Sequence, residues 1–313
     1  MIDDRVSIDY RKYKVNNNIF ESNDAYFLKD DLRLGIEVLD DRIRKEFQVY
    51  IEPNNALVEQ NLLKIIPHFS DYHSRNLKDH FLKLIDFLAL GLIDEGFFIL
   101  ERVKITEENS SYFYLVPIVY DEIIVKKNFI YQCFSKTSQE KFNLPKRIKI
   151  NKDKCYILEF PSLLGGSRYY QELLREISLS DRFVNKSFLE MKKMSGKLPF
   201  YNFSEHNKIS DFYAWKISRK IGWHHRTYNS YEQPGTEHYK FSRRLKFKRT
   251  SLIIRNYTVE NIKHIYEDIA KHLGVQIRVI VKGLTDLSEI ESAISKWYKG
   301  ELDFEDISNY TLI

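Results

Sequence analysis

Cysteine is nearly missing from this 313-residue chain, with Cys133 and Cys155 its two examples. Two thiols can neither staple a disulfide scaffold nor fill a four-cysteine zinc site. A reducing compartment, and so a cytoplasmic location, is the expectation. Glycine (11) and proline (7) are scarce, which excludes a collagen-like or low-complexity chain, and 43% hydrophobic residues exclude a disordered one. Long apolar runs are lacking as well. The longest near the middle, Phe87 to Ile93, falls far short of the roughly 20 residues that span a bilayer, so no membrane partner is expected. The opening Met1-Ile2-Asp3-Asp4-Arg5 has no basic segment leading into an apolar core, and no secretory leader is expected. A chain of this length can bury about 70–75% of its unfolded surface, in one large domain or two to three modest ones.

The common signatures of cofactor and metal chemistry are missing too. No G-x-G-x-x-G, G-x-S-x-G, H-E-x-x-H or C-x-x-C occurs. Gly165-Gly166-Ser167 stands where backbone amides could hold an anion, but no Lys-Ser/Thr pair follows, and a tight strand-to-helix turn explains it. His68, His73 and His80 match no zinc spacing and are expected to be surface or capping residues. Glu260, His264 and Asp268 form an i, i+4, i+8 row opposite an apolar stripe, which reads as solvated helix surface. No cofactor and no metal are expected.

What the chain does have is charge, unevenly spread. Residues 1–100 hold 13 Lys+Arg and 18 Asp+Glu, a net −5, while the remaining 213 hold 36 and 26, a net +10. The densest basic stretch runs from His238 to Arg249, and no acid occurs from His238 through Val259. Such a field attracts phosphates or an acidic partner surface; it is equally what a solvated helix face or internal pairing with the acidic N-terminal third would look like.

Periodicity gives an α+β fold in four regions. Residues 1–95 are a mainly helical acidic region, with a short strand over Val6–Tyr10, helical spacing from Asp30 to Phe47, an apolar segment from Leu57 to Ile66 and a buried helix from Leu77 to Leu92. Residues 96–160 are β-rich. Phe97–Leu100 and Tyr112–Val116 form a hairpin, and strands follow at Glu122–Val125, Phe129–Phe134, Arg147–Ile150 and Cys155–Phe160. Residues 161–257 are a helical basic region in which Ile209–Trp223 is helical. Residues 258–313 form an α-β-α C-terminal region. There Thr258 caps a helix that Gly274 ends, Val275–Val281 is a strand, and Asp286 with Glu289 opens a last helix stopped by Gly300.

The richest cluster of polar chemistry is Trp215-Lys-Ile-Ser-Arg219-Lys-Ile-Gly-Trp223-His224-His225-Arg226, with Tyr228, Tyr231 and Tyr239 beyond. As a binding surface it offers Arg243, Arg244, Lys246, Lys248 and Arg249 for phosphates, and Trp223 and Tyr239 for packing or stacking. If residues 239–248 are extended, Lys240, Arg244, Lys246 and Lys248 share one face; if they are helical, the charges spread around the axis. Arg219 followed, after four intervening residues, by His224 resembles the R-x4-6-H motif of the HEPN ribonucleases. That resemblance implies a metal-independent, dimeric ribonuclease, a defence or toxin effector, in which His224 moves protons and Arg219 steadies phosphate charge. Where that family commonly places Asn or Asp after the Arg, Lys220 stands here.

A second resemblance lies in the order of elements. A buried helix runs into Gly96-Phe-Phe-Ile-Leu-Glu101, Leu115-Val-Pro117 precedes strands, and Lys154–Pro161 leads into Leu164-Gly-Gly-Ser167 before a helix. From residue 77 to about 200 this order resembles the core of tailed-phage portal proteins. It implies a non-enzymatic, self-associating ring subunit, virion-associated, whose basic elements face DNA. The leading expectation is therefore a non-enzymatic nucleic-acid-associated or assembly protein, possible partners being DNA, RNA or copies of itself. The ribonuclease, and a protein-interaction module docking an acidic protein partner, stand as alternatives.

Overall fold

A computed structural model describes residues 11–14, 23–36, 46–66, 76–107, 110–118, 121–178, 220–223, 236–284 and 286–303. The expected strand over Val6–Tyr10 lies outside them. The fold is α+β. Its strands are β1 (Arg11–Lys14), β2 (Gln48–Glu52), β3 (Phe97–Glu107), β4 (Ser110–Pro117), β5 (Glu122–Val125), β6 (Phe129–Cys133), β7 (Arg147–Asn151), β8 (Cys155–Glu159) and β9 (Arg278–Lys282). Its helices are α1 (Asn23–Ile36), α2 (Ala56–Leu62), α3 (Leu77–Glu95), α4 (Lys136–Phe142), α5 (166–178), α6 (Thr236–His272) and α7 (Leu287–Tyr298).

Among the described residues three antiparallel sheets result, in the orders β1-β5-β6-β7, β4-β3-β8 and β2-β9. The two larger sheets lie face to face. Strand alternation sends Phe97 and Ile99 of β3 into the layer between them, where they meet Ile123, Val125, Ile130 and Ile150 of the four-stranded sheet. Leu100, Leu158 and Phe113 leave the other side of β4-β3-β8 for the main core, against α3, α5 and α6. The layers thus run helices, three-stranded sheet, four-stranded sheet. Among the described residues, the other face of β1-β5-β6-β7 is outermost.

Local chemistry sets most element ends. The side chains of Asn55 and Asn76 accept from Val58 N (3.1 Å) and Asp79 N (2.9 Å), capping α2 and α3. Gly96, at φ 77°, ends α3 and turns directly into β3. The turn at Gly165 (φ 105°) and Gly166 (φ 72°) leads from β8 into α5, and Ser167 Oγ accepts from Phe160 N at 3.0 Å. Asp286 caps α7 as expected, and the helix buries Ile290, Ala293 and Trp297.

Three sequence expectations are corrected, and one strand is added. Of the helical spacing read over Asp30–Phe47, residues 30–36 lie in α1 and residues 37–45 lie outside the described residues; the added strand is β2, whose Val49 and Ile51 pair with β9 (Val49 with Val281, Ile51 with Val279). That pairing joins the N-terminal and C-terminal regions in one sheet. Thr258 caps nothing, because α6 runs unbroken from Thr236 to His272 and carries the chain straight through the expected boundary at 257/258. Buried in the helix, Thr258 Oγ1 donates back to Ile254 O at 2.9 Å, which satisfies a hydroxyl without ending the helix. Residues 220–222, expected within a helix, form a turn, and residues 209–219 of that stretch lie outside the described residues. Finally, α4 interrupts the run of strands between β6 and β7, its start capped by Ser135. Among the described residues, no helix is long and apolar enough to cross a membrane.

Candidate nucleic-acid interface

The residues that sequence reading nominates for phosphate binding do not share a surface. Residues 239–248 are helical, and successive helical positions turn by about 100°, so Arg243, Arg244, Lys246, Lys248 and Arg249 point in different directions. Arg244 is exposed, whereas Arg243 is buried at 7% exposure. Arg249 holds Glu291 of α7, with both Nε and Nη2 at 2.9 Å from the same carboxylate oxygen. Trp223 is 1% exposed, and its indole N–H donates to Asp31 Oδ2 at 2.9 Å, so it is a core residue and cannot stack on a base. The turn at 220–222 is pressed onto this half of α6: a Cβ on Gly222 would lie 2.6 Å from Lys246 Cβ and 2.9 Å from Phe247 N. Thr250 Oγ1 donates to Ile221 O at 3.0 Å in the same contact. The described part of the most basic stretch is therefore a helix with Arg243 in the core, Arg249 engaged by Glu291 and Lys246 and Lys248 half-buried. Arg219, His224 and the side chain of Tyr239 lie outside the described residues.

The outermost face of β1-β5-β6-β7 offers a more coherent surface. Ile130 on β6, Ile150 on β7 and Ile123 and Val125 on β5 point inward. The alternation therefore turns Phe129, Tyr131 and Cys133 outward on β6, and Arg147, Lys149 and Asn151 outward on β7. Register fixes their neighbours across the strands: Phe129 opposes Asn151, Tyr131 opposes Lys149, and Cys133 opposes Arg147. On the other flank Ile124 and Glu122 of β5 oppose Tyr131 and Cys133, and β1 continues the sheet with Lys12 paired to Ile124 and Lys14 to Glu122.

Cations lie over both half-buried rings. Lys149 Nζ is 3.6 Å from the Phe129 centroid. Tyr131 has two, Arg147 Cζ at 5.3 Å and Lys126 Nζ at 5.5 Å. Each such contact at the protein surface is worth about 0.5–1 kcal/mol, little enough for a ligand to replace. Residues 121–155 carry nine Lys and Arg against four Asp and Glu, a net +5, and Lys126, Lys127, Arg147 and Lys149 are all exposed. Partly exposed aromatics on a central strand, ringed by cations, combine a stacking surface with a phosphate-attracting field.

Sequence reasoning located these strands but missed this face. The alternation of Phe129 and Tyr131 with Ile130, and of Arg147 and Lys149 with Ile148 and Ile150, is the signal that could have found it. Which side of those strands is covered depends on Phe97 and Ile99 arriving from β3, and that is a tertiary fact.

A second polar cluster joins the other sheet to α6. Arg102 of β3 bonds Asp268 of α6, Tyr156 of β8 donates to the same Asp268 oxygen at 2.6 Å, and Arg102 Nη1 reaches Tyr156 Oη at 3.2 Å. His272 lies one turn along, its Nε2 3.7 Å from Asp268 Oδ1. Burial, and then the bond to Asp268, push the Tyr156 phenol well above its ordinary pKa, so it stays a donor. This cluster pins a helix to a sheet. Asp268 is thereby a tertiary ligand of Arg102 rather than the surface residue its sequence row suggested, while Glu260 keeps a surface pairing to Lys263 at 2.9 Å. His80, also expected at the surface, is 0% exposed, with Nδ1 2.6 Å from Tyr266 Oη. Among the described residues no three His, Cys, Asp or Glu gather as metal ligands.

Comparison of the chain with family models, with curated proteins and with solved structures finds no match.

Proposed function

We propose that this protein binds nucleic acid non-enzymatically, through the outer face of the β1-β5-β6-β7 sheet. The observation that carries the reading is the pairing of Phe129 and Tyr131 on the middle of that face with Lys126, Arg147 and Lys149 immediately over their rings. The rings supply flat apolar surface for bases. The cations, released from the rings, supply charge for phosphates. This keeps the function expected from composition but moves it from α6 to the sheet, because α6 spends Arg243 in the core and Arg249 on Glu291.

The test is a binding titration with labelled oligonucleotides at rising salt. Affinity that falls steeply with salt, and that drops at least about tenfold in an Arg147→Glu/Lys149→Glu variant, supports the proposal. Affinity unchanged by that double reversal removes the sheet from the account. The ribonuclease and the portal-like ring rest on no specific observation among the described residues.

A further inference from the structure

The geometry of the two rings narrows the ligand further, resting on the reading above. Phe129 and Tyr131 are two residues apart on one strand, so their Cβ atoms are spaced by about 6.8 Å along β6. Stacked bases in a duplex follow one another every 3.4 Å or so along a strand, about half that distance. A duplex also hides its base faces inside the stack, where no side-chain ring can reach them without unstacking. Two rings at this spacing therefore fit consecutive bases only after those bases have been pulled apart.

The cations fit the same arrangement. They flank β6 on both sides, Lys126 in the β5–β6 turn and Arg147 and Lys149 on β7, so a backbone following β6 passes them in succession. One acid, Glu122, stands opposite Cys133 at one end of β6, away from Phe129. We propose that the ligand is a single strand, RNA or DNA, extended along β6 with two unstacked neighbouring bases on Phe129 and Tyr131 and its phosphates on Lys126, Arg147 and Lys149. Three phosphate contacts on a single strand give a slope of about −2 for log affinity against log salt.

The experiment compares end-labelled oligo-U and oligo-dT of about 12 nucleotides with the duplexes formed by adding their complements, on wild type and on Phe129→Ala, Tyr131→Ala and Tyr131→Phe. Fluorescence anisotropy is the readout, and a circular-dichroism melt checks that each variant folds. Losing one stacked base costs roughly 5- to 150-fold in affinity. The proposal expects at least one kind of single strand to bind about tenfold or more tighter than its duplex, each alanine variant to lose affinity in that range, and Tyr131→Phe to keep it.

A second readout stays valid if an alanine variant fails to fold. Cys133 lies on the same face as Tyr131, whereas burial pushes the Cys155 thiol up to about 12 and leaves it slow to react. Bound single strand is expected to protect Cys133 of the wild type from alkylation. Duplex binding as tight as single-strand binding overturns the single-strand proposal and leaves the nucleic-acid reading standing. So does alanine at both rings without effect while Lys149→Glu still weakens binding. No binding of any probe at low salt overturns both.

Discussion

Two ionisable groups of α3, His80 buried and Glu95 half-buried, give the protein a pH response whose halves oppose each other. Burial, with Lys83 adding to it, lowers the pKa of His80 from 6.5 to about 4. Burial raises that of Glu95 from 4.5 to about 7, with Lys29 opposing and Asp94 adding. As pH falls below 6.5 the unfolded chain takes up a proton at His80 that the folded chain refuses until about pH 4, so stability is lost across that window. Between pH 7 and 4.5 the folded chain holds a proton on Glu95 that the unfolded chain releases, so there stability rises as pH falls. From pH 7 to pH 5 the His80 contribution is a loss of about 2 kcal/mol, and the Glu95 contribution a gain of at most about 2 kcal/mol, since Glu95 is partly in contact with water.

Urea denaturation of wild type, His80→Gln and Glu95→Gln across this range reads the two separately. Relative to wild type, His80→Gln is expected to become more stable by about 2 kcal/mol on going from pH 7 to pH 5, and Glu95→Gln less stable by up to the same amount. The double variant is expected to follow the wild-type profile. If both single variants track wild type to within about 0.5 kcal/mol, these groups are not held as described.

Other substitutions test the packing that positions the sheet and the long helix. Trp223→Phe removes the donor to Asp31 and is expected to cost about 1–3 kcal/mol in chemical denaturation while leaving the affinity of folded protein for oligonucleotides unchanged; lost affinity would restore Trp223 to the binding surface. Asp268→Asn breaks the charged bond to Arg102 and is expected to cost about 1–3 kcal/mol, with no change beyond error counting against the tie between β3 and α6. Gly222→Ala puts a Cβ against Lys246 and the α6 backbone at φ 75°, and a melting temperature equal to wild type would contradict the close approach of that turn.

Local patterns were legible and long-range ones were not. β5 to β8 and α3 stand close to where alternation and helical spacing put them, because Gly96 and the alternating isoleucines act within a few residues. Thr258 misled because a threonine before an apolar stripe reads as a cap, although its hydroxyl can equally bond one turn back inside a longer helix. Trp223 misled because an indole amid Arg and Lys looks like a stacking platform until its partner, Asp31 in α1, is known. The pairing of β2 with β9 joins residues more than 200 positions apart, which no window of sequence reports. The candidate face needed both kinds of information. Its residues alternate visibly in the sequence, but only the packing of Phe97 and Ile99 shows which side of the sheet the described residues leave open.

The most direct measurement sets the sheet against the helix. Oligonucleotide affinity at low salt is compared between wild type, an Arg147→Glu/Lys149→Glu variant and an Arg244→Glu/Lys248→Glu variant, the two variants sharing the same change in net charge. The sheet reversal is expected to lose at least about tenfold and to flatten the salt dependence, with the helix reversal close to wild type. Loss confined to the helix variant would contradict the account and return the binding surface to α6.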